Sequence, residues 1–306
     1  MVHLKAAHAK TFRQLYEGCS EEAMQTVAGV EEVARTNLPC RPGTAVGVLM
    51  AKARIYSLRM DREGLERFLT QFEKECAGTA VAEQVDIVAC CERAFAYRLM
   101  EDWPQAVRAM ERERELLERR ERARRQDEVA GLDALSRRFY LYVQAPTQVA
   151  DLYRFMGRVE LAAAEYRRAL EYLDAHAETM RPLDHYMHRI HRESLCPCRY
   201  KEEILPRAIR DCEAGQDSPL GILARRVACE ADQGDYLMKM GLAYRQRQAL
   251  QAALEHYDRA QRAMEANRCA MDSLDPEDQA RYLKLGQHVL KNIHVCHREL
   301  TRLGQD

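Results

Sequence analysis

The sequence predicts an all-α fold built from repeated helix-turn-helix units. Gly and Pro, which make most tight turns, number only 14 and 9 in 306 residues, a combined share well below the roughly 12% that is typical. Stretches rich in Val and Ile, which are typical of strands, are missing from the sequence. Apolar residues instead recur at helical spacing. These observations argue against a sandwich, a barrel or a mixed α/β fold and favour helices throughout.

The clearest repeat lies near 143–176. A large apolar residue and a small one are followed by a tyrosine, a turn glycine and then an Ala-Tyr-Ala series: Val149, Ala150, Tyr153, Gly157, Ala162, Tyr166 and Ala169. This spacing is typical of tetratricopeptide repeats, in which small residues let two antiparallel helices approach and aromatic residues fill the gaps between pairs. A single pair cannot bury its apolar face, so pairs stack into a solenoid.

The pattern recurs, in looser form, along the chain. Its clearest copies lie near 46–79, 87–120, 143–176 and 234–267, and their marker tyrosines are Tyr56, Tyr97, Tyr153 and Tyr244. The spacing between these tyrosines is not constant, which indicates a divergent array with longer helices or inserted pairs. We therefore predict one helical-repeat domain, a tetratricopeptide-like α-solenoid, over residues 1–306.

Three further features complete the predicted architecture. A stretch without Gly or Pro, 105–130, predicts a long helix whose charged residues pair with one another. Prolines 182 and 197 predict breaks on either side of a short helix. The segment 276–303 is predicted to be a capping helix, because Pro276 is well suited to the first helical position.

Composition and charge restrict the classes of partner. The net charge of −1 gives no electrostatic reason to expect binding to nucleic acid or to an anionic membrane. The apolar runs are far shorter than the ~20 residues of a membrane span. The first residues do not resemble a secretory signal, so we expect a cytoplasmic protein whose 11 cysteines are reduced.

One cluster of histidines and cysteines raises the question of a metal. His185, His188 and His191 are spaced three apart on one predicted helix, and Cys196 and Cys198 follow. Zinc requires converging ligands, Cys-x-Cys is a poorer chelate than Cys-x2-Cys, and a second Cys or His pair at finger spacing is missing nearby. The interpretation favoured by the sequence is a partly exposed histidine helix without a metal, which could contact a partner.

The sequence gives little sign of catalysis. It contains no Gly-rich phosphate loop, no Gly-x-Ser-x-Gly turn and no His-Glu-x-x-His motif. We therefore predict protein binding without a cofactor. In a solenoid the first helix of each repeat lines the concave face, and the candidate contact residues there are Thr147, Asp151, Arg154, Met238 and Leu242.

Three stretches carry a more specific resemblance. They are Met187-His188-Arg189 with Leu195-Cys196-Pro197, then Arg225 to Ala231 with Tyr236, and then Leu254-Glu255-His256-Tyr257. Together they resemble the C-terminal half of the KIF-binding protein (kinesin-binding protein) family, over about residues 180–262. Cys229 stands where that family has an aromatic residue, and Val227 where it has Ile. The chain is also shorter than the animal members.

The resemblance implies a tetratricopeptide-like solenoid that binds kinesin motor domains and blocks their attachment to microtubules. Its concave face would then hold a helix of the motor domain. The alternatives are an adaptor or assembly subunit with another protein partner and, in a different class, a metal-binding helical enzyme.

Overall fold

The computed structural model describes residues 2–38, 40, 42–123, 131–213, 219–268 and 276–304. Every regular element in these ranges is a helix, which confirms the all-α prediction. The chain divides into two compact units. Unit 1 comprises Met1–Asp102 together with Asp217–Asp306, and unit 2 comprises Trp103–Gln216. The predicted copy at 87–120 crosses the boundary between them, and the prediction of one continuous repeat domain stays a prediction.

Unit 1 is assembled from the two ends of the chain. Its helices are α1 (Val2–Tyr16), α2 (Ser20–Ala28), α3 (Glu31–Asn37), α4 (Pro42–Leu58), α5 (Arg62–Cys76), α6 (Ala82–Leu99), α13 (Pro219–Ala243), α14 (Arg247–Ala266) and α15 (Pro276–Arg302). The last of these agrees with the helix predicted at 276–303.

Unit 2 is built around one long helix, α10. Its elements are α7 (Trp103–Ala123), α8 (Leu132–Phe139), a π-helical segment (Tyr140–Gln144), α9 (Ala145–Phe155), α10 (Val159–Arg189), a 3₁₀ turn (Glu193–Leu195), α11 (Pro197–Arg199), a second π-helical segment (Tyr200–Ile204) and α12 (Leu205–Glu213). The helix predicted at 105–130 corresponds to α7, and residues 124–130 lie outside the described part of the chain.

The core of unit 1 joins segments that are far apart in sequence. Leu15 of α1, Ile55 of α4 and Tyr257 of α14 belong to one apolar cluster and are at most 1% exposed. Arg54 of α4 donates a hydrogen bond to the Tyr244 hydroxyl at 3.0 Å, across 190 residues. The first and fourth predicted copies therefore touch. In a linear array each copy contacts only its neighbours, so the helices of unit 1 do not follow that order.

One kind of turn ends six of the helices. Each turn contains a residue with positive φ, between 51° and 80°. The N–H of the next residue donates a hydrogen bond, 2.8–2.9 Å long, to the carbonyl five residues before it. This is the Schellman pattern of helix C-termini. The positive-φ residues are Gly18, Met60, Glu101, Gly157, His191 and Arg245. The sequence pattern pointed to the glycine at 157 but gave no sign of the four residues that are not glycine.

The fourth predicted copy is out of register by three residues. In the first three copies the backbone carbonyl of the marker tyrosine accepts the N–H of the turn. In the fourth copy the accepting carbonyl is that of Gly241. Leu250, rather than Ala253, therefore occupies the position that Ala162 holds in the third copy. The predicted equivalence of Tyr244 with Tyr153 was wrong. Side chains three residues apart on a helix differ in direction by about 300°, which is only about 60° short of a full turn. A sequence alignment that is wrong by three residues therefore still matches buried positions with buried positions.

Pro182 does not break its helix. The helix α10 continues through it to Arg189, and the backbone deviates six residues earlier, at His176 (φ −122°, ψ 17°). Met180 and Leu183 flank the proline and are at most 1% exposed. Burial of two such side chains contributes about 1.5–3 kcal/mol each, which offsets the roughly 3 kcal/mol cost of an internal proline.

Candidate functional site

The structure gives the three predicted partner residues of α9 different environments. Thr147 is buried, and its hydroxyl donates to the Val143 carbonyl at 2.7 Å, so it does not meet the expectation of an exposed contact residue. Asp151 is half-buried and accepts a hydrogen bond from the Tyr166 hydroxyl. Arg154 is half-buried. Much of this predicted surface is therefore already used within unit 2.

The two predicted partner residues of α13 lie in unit 1. Met238 is half-buried, and its sulfur lies 3.8 Å from the Tyr257 hydroxyl. Leu242 is 41% exposed. Of the five residues predicted on the concave face, Leu242 is the one whose large apolar side chain meets water.

The histidine helix and the two cysteines converge in unit 2. The potential ligand atoms of His188, Cys196 and Cys198 all lie within 4.8 Å of one another. His188 is exposed, Cys198 is half-buried and Cys196 is fully buried. His185 and His191 are exposed and lie outside this group. Three residues of types that bind zinc thus meet at one end of α10.

Local backbone structure explains the convergence. His191, with φ 54°, reverses the chain at the end of α10, and the 3₁₀ turn Glu193–Leu195 returns it toward that helix. The Cys198 N–H then donates to Asp184 Oδ1 at 2.8 Å. Asp184 and His188 are four residues apart, so they share one face of α10. We call Asp184, His188, Cys196 and Cys198 the thiol cluster.

The electrostatics of the thiol cluster favour a neutral state of its cysteines. Burial and the hydrogen bond to the Asp184 carboxylate raise the pKa of Cys198 to about 11. Burial, with the nearby charges of Asp184 and Glu193, also raises the pKa of Cys196. Both thiols are therefore protonated at neutral pH unless a cation stabilises the thiolates, as a bound metal does.

Unit 1 contains a different histidine site, which the sequence did not predict. His256 is 2% exposed. Its Nδ1 lies 2.8 Å from a Glu230 carboxylate oxygen, and its Nε2 lies 2.9 Å from one of Glu101. Arg259 also bonds Glu230, at 2.9 Å. Burial lowers the pKa of His256, but the two carboxylates outweigh it, and the net shift is upward.

A second polar network of unit 1 joins α13, α14 and α15. Asp235 accepts hydrogen bonds from the Tyr257 hydroxyl at 2.6 Å, from His288 Nε2 at 2.9 Å and from Asn292 Nδ2 at 2.9 Å. Burial and the Asp235 carboxylate raise the pKa of Tyr257. The resemblance to the kinesin-binding family includes His256 and Tyr257. In this structure both side chains are buried and hold helices together.

The acidic residues along α5 do not form an enclosed site. A surface depression there is lined by Glu63, Glu66, Arg67, Thr70 and Gln71, all from one helix. One helix face cannot exclude water from a reacting group, as acid–base catalysis by carboxylates usually requires.

Comparison with protein-family models, with curated proteins and with solved structures found no significant match. None of the described helices is both long enough and apolar enough to cross a membrane.

Proposed function

We propose that the protein is a non-catalytic protein-binding scaffold built from tetratricopeptide-like helical hairpins. The observation that carries this proposal is an exposed apolar face on α15. Leu283 is 61% exposed and Leu290 is 46% exposed. They are seven residues apart, so they lie on one helix face about 10 Å from each other. Two large apolar side chains on one helix face form a stripe that the apolar face of another helix can cover.

The charges beside this face indicate the kind of partner. Lys284 and Lys291 are exposed and follow the two leucines by one residue each. They therefore lie along one flank of the apolar stripe. We infer that the partner contributes an amphipathic helix whose apolar side covers Leu283 and Leu290 and whose acidic residues face the lysines. Leu242 of α13 is a second exposed apolar residue in unit 1.

The resemblance described above supports a kinesin motor domain as a candidate partner, and with it a role in regulating attachment to microtubules. The test measures binding of the purified chain to a purified kinesin motor domain, and then the fraction of motor that sediments with microtubules. We expect binding and a smaller sedimenting fraction. A motor domain that does not bind at micromolar concentration would remove kinesin from the proposal.

Two leucine variants test the α15 face itself. Leu290→Glu places a charge in the apolar stripe, and we expect at least tenfold weaker binding of a verified partner. The matched control is Leu161→Glu, because Leu161 of α10 is 44% exposed but lies outside α15. Equal binding by both variants and the unmodified chain would show that α15 is not the binding face.

A further inference from the structure

We propose that the thiol cluster binds one zinc ion, with His188, Cys196 and Cys198 as its protein ligands and with Asp184 holding the backbone of Cys198. The inference concerns unit 2 and does not depend on the proposed protein partner. The sequence favoured a helix without a metal, because a second ligand pair is missing near Cys-x-Cys. In the structure the returning chain brings both cysteines to His188, so three ligand groups converge.

The distances are those of a site that closes around an ion. A tetrahedral zinc with Zn–S of about 2.3 Å and Zn–N of about 2.0 Å holds its ligand atoms about 3.3–3.8 Å apart. The three atoms of His188, Cys196 and Cys198 are within 4.8 Å of one another. A shift of about 1 Å or less at each atom would therefore reduce these separations to those of a tetrahedral site.

Asp184 positions one of the ligands. Its Oδ1 accepts the Cys198 N–H at 2.8 Å, which places the carboxylate beside the Cys198 side chain. Carboxylates that orient a metal ligand by a hydrogen bond are common around metal sites. Two thiolates and one imidazole are ligands that zinc accepts, and a water molecule would complete a tetrahedral site.

The backbone around the cysteines is anchored before any metal binds. Cys196 is fully buried, and its N–H donates to the Glu193 carbonyl at 3.1 Å. Pro197 then begins α11 and restricts the backbone between the two cysteines. An ion at this point would clip the end of α10 to the start of α11, so zinc binding would stabilise unit 2.

The experiment uses the full purified chain, reduced and stripped of metal with a chelator. Zinc is titrated against a competing chromophoric chelator, and Co²⁺ is added separately to record its absorption spectrum. We expect one zinc per chain and, with Co²⁺, the thiolate-to-metal charge-transfer band of a tetrahedral site. A chain that takes up no zinc at micromolar concentration would overturn the proposal.

Variants identify the ligands. His188→Ala and Cys198→Ser remove partly or fully exposed groups, and each is expected to weaken zinc binding at least tenfold. Asp184→Asn is expected to weaken it to a smaller degree. The matched controls are His185→Ala, on the same helix, and Cys40→Ser, an exposed thiol of unit 1, and both should bind like the unmodified chain.

Circular dichroism of each variant shows whether its helices are retained, so a loss of binding is assigned to a lost ligand only in a folded chain. If folded His188→Ala and Cys198→Ser bind zinc as tightly as the unmodified chain, the ion lies elsewhere and the assignment is wrong.

Discussion

Two histidines, His256 in unit 1 and His188 in unit 2, show opposite ways of using a polar cluster. His256 is buried and lies between the carboxylates of Glu101 and Glu230, with Arg259 on the second of them. His188 is exposed, and its neighbours are thiols that burial and carboxylates keep protonated. In the first cluster His256 and Arg259 balance the charges of two carboxylates. In the second, an imidazole and two thiols converge, and these are groups that can ligate a metal.

This difference separates structural clusters from candidate binding sites. A cluster that already contains its own counter-charges gains little from a ligand, and its role is to hold helices together. A cluster in which two thiols and an imidazole converge beside a carboxylate offers ligands to an added cation. A histidine in a helical protein is therefore interpreted from the charges around it rather than from its burial alone.

The largest expected effect comes from removing a cation from a self-balanced cluster of unit 1. Arg54 forms two hydrogen bonds with Glu92, at 2.8 and 2.9 Å, and Glu92 is 8% exposed. Arg54→Met leaves that carboxylate buried without its partner, so we expect a loss of about 3–5 kcal/mol in the free energy of unfolding, measured by denaturant titration. The control is Arg67→Met, because Arg67 pairs with Glu63 on the surface and should cost at most about 1 kcal/mol. Equal losses of unfolding free energy in the two variants would show that the buried Arg54–Glu92 pair stabilises the chain no more than a surface pair does.

An intermediate effect is expected at His256, and it depends on pH. Because the pKa of His256 is raised in the folded chain, its contribution is complete below the unfolded pKa of about 6.5. That contribution is lost as the pH rises through the higher folded pKa. His256→Gln should therefore cost about 1.5–3 kcal/mol at pH 6 and less at pH 9. The measurement is the free energy of unfolding at both pH values. A cost that is the same at both would mean that the imidazole is not charged in the folded chain.

The smallest expected effect is that of a substitution at His191, which distinguishes a residue of the turn from the zinc ligands next to it. His191 has φ 54° at the end of α10, a conformation that costs residues other than glycine about 1 kcal/mol. His191→Gly should raise the free energy of unfolding by roughly 0.5–1 kcal/mol and leave zinc binding unchanged. His185→Gly, inside the same helix, should lower it by roughly 0.5 kcal/mol. A loss of zinc binding in His191→Gly would make His191 a ligand and require a new account of the site.

The sequence was sufficient to predict elements but not their long-range partners. Helical periodicity predicted α15 and the buried faces of the hairpins, because burial on a helix repeats every few residues. It could not place Arg54 against Tyr244 or His256 against Glu101. These partners are separated by 190 and 155 residues, and neither local spacing nor propensity records such a contact.

The thiol cluster shows the same limit at shorter range. The sequence points to His188, Cys196 and Cys198 as a group, but Cys-x-Cys by itself is a poor chelate. What joins them is a reversal at His191, which has positive φ although it is not glycine, and a hydrogen bond that the Asp184 carboxylate accepts from the Cys198 N–H. Neither has a recognisable signature in the sequence. The α15 face was missed for a simpler reason, since a capping helix is expected to be polar outside.

The contrast between the two histidines can be measured directly by nuclear magnetic resonance. The imidazole resonances of the reduced full chain are followed while zinc is added, and the His188→Ala, His185→Ala and His256→Gln variants provide the assignments. The account predicts that the His188 resonances change up to one equivalent of zinc, while those of His185 and His256 stay in place. Resonances of His188 that respond no more than those of His185, or a response at His256, would contradict it.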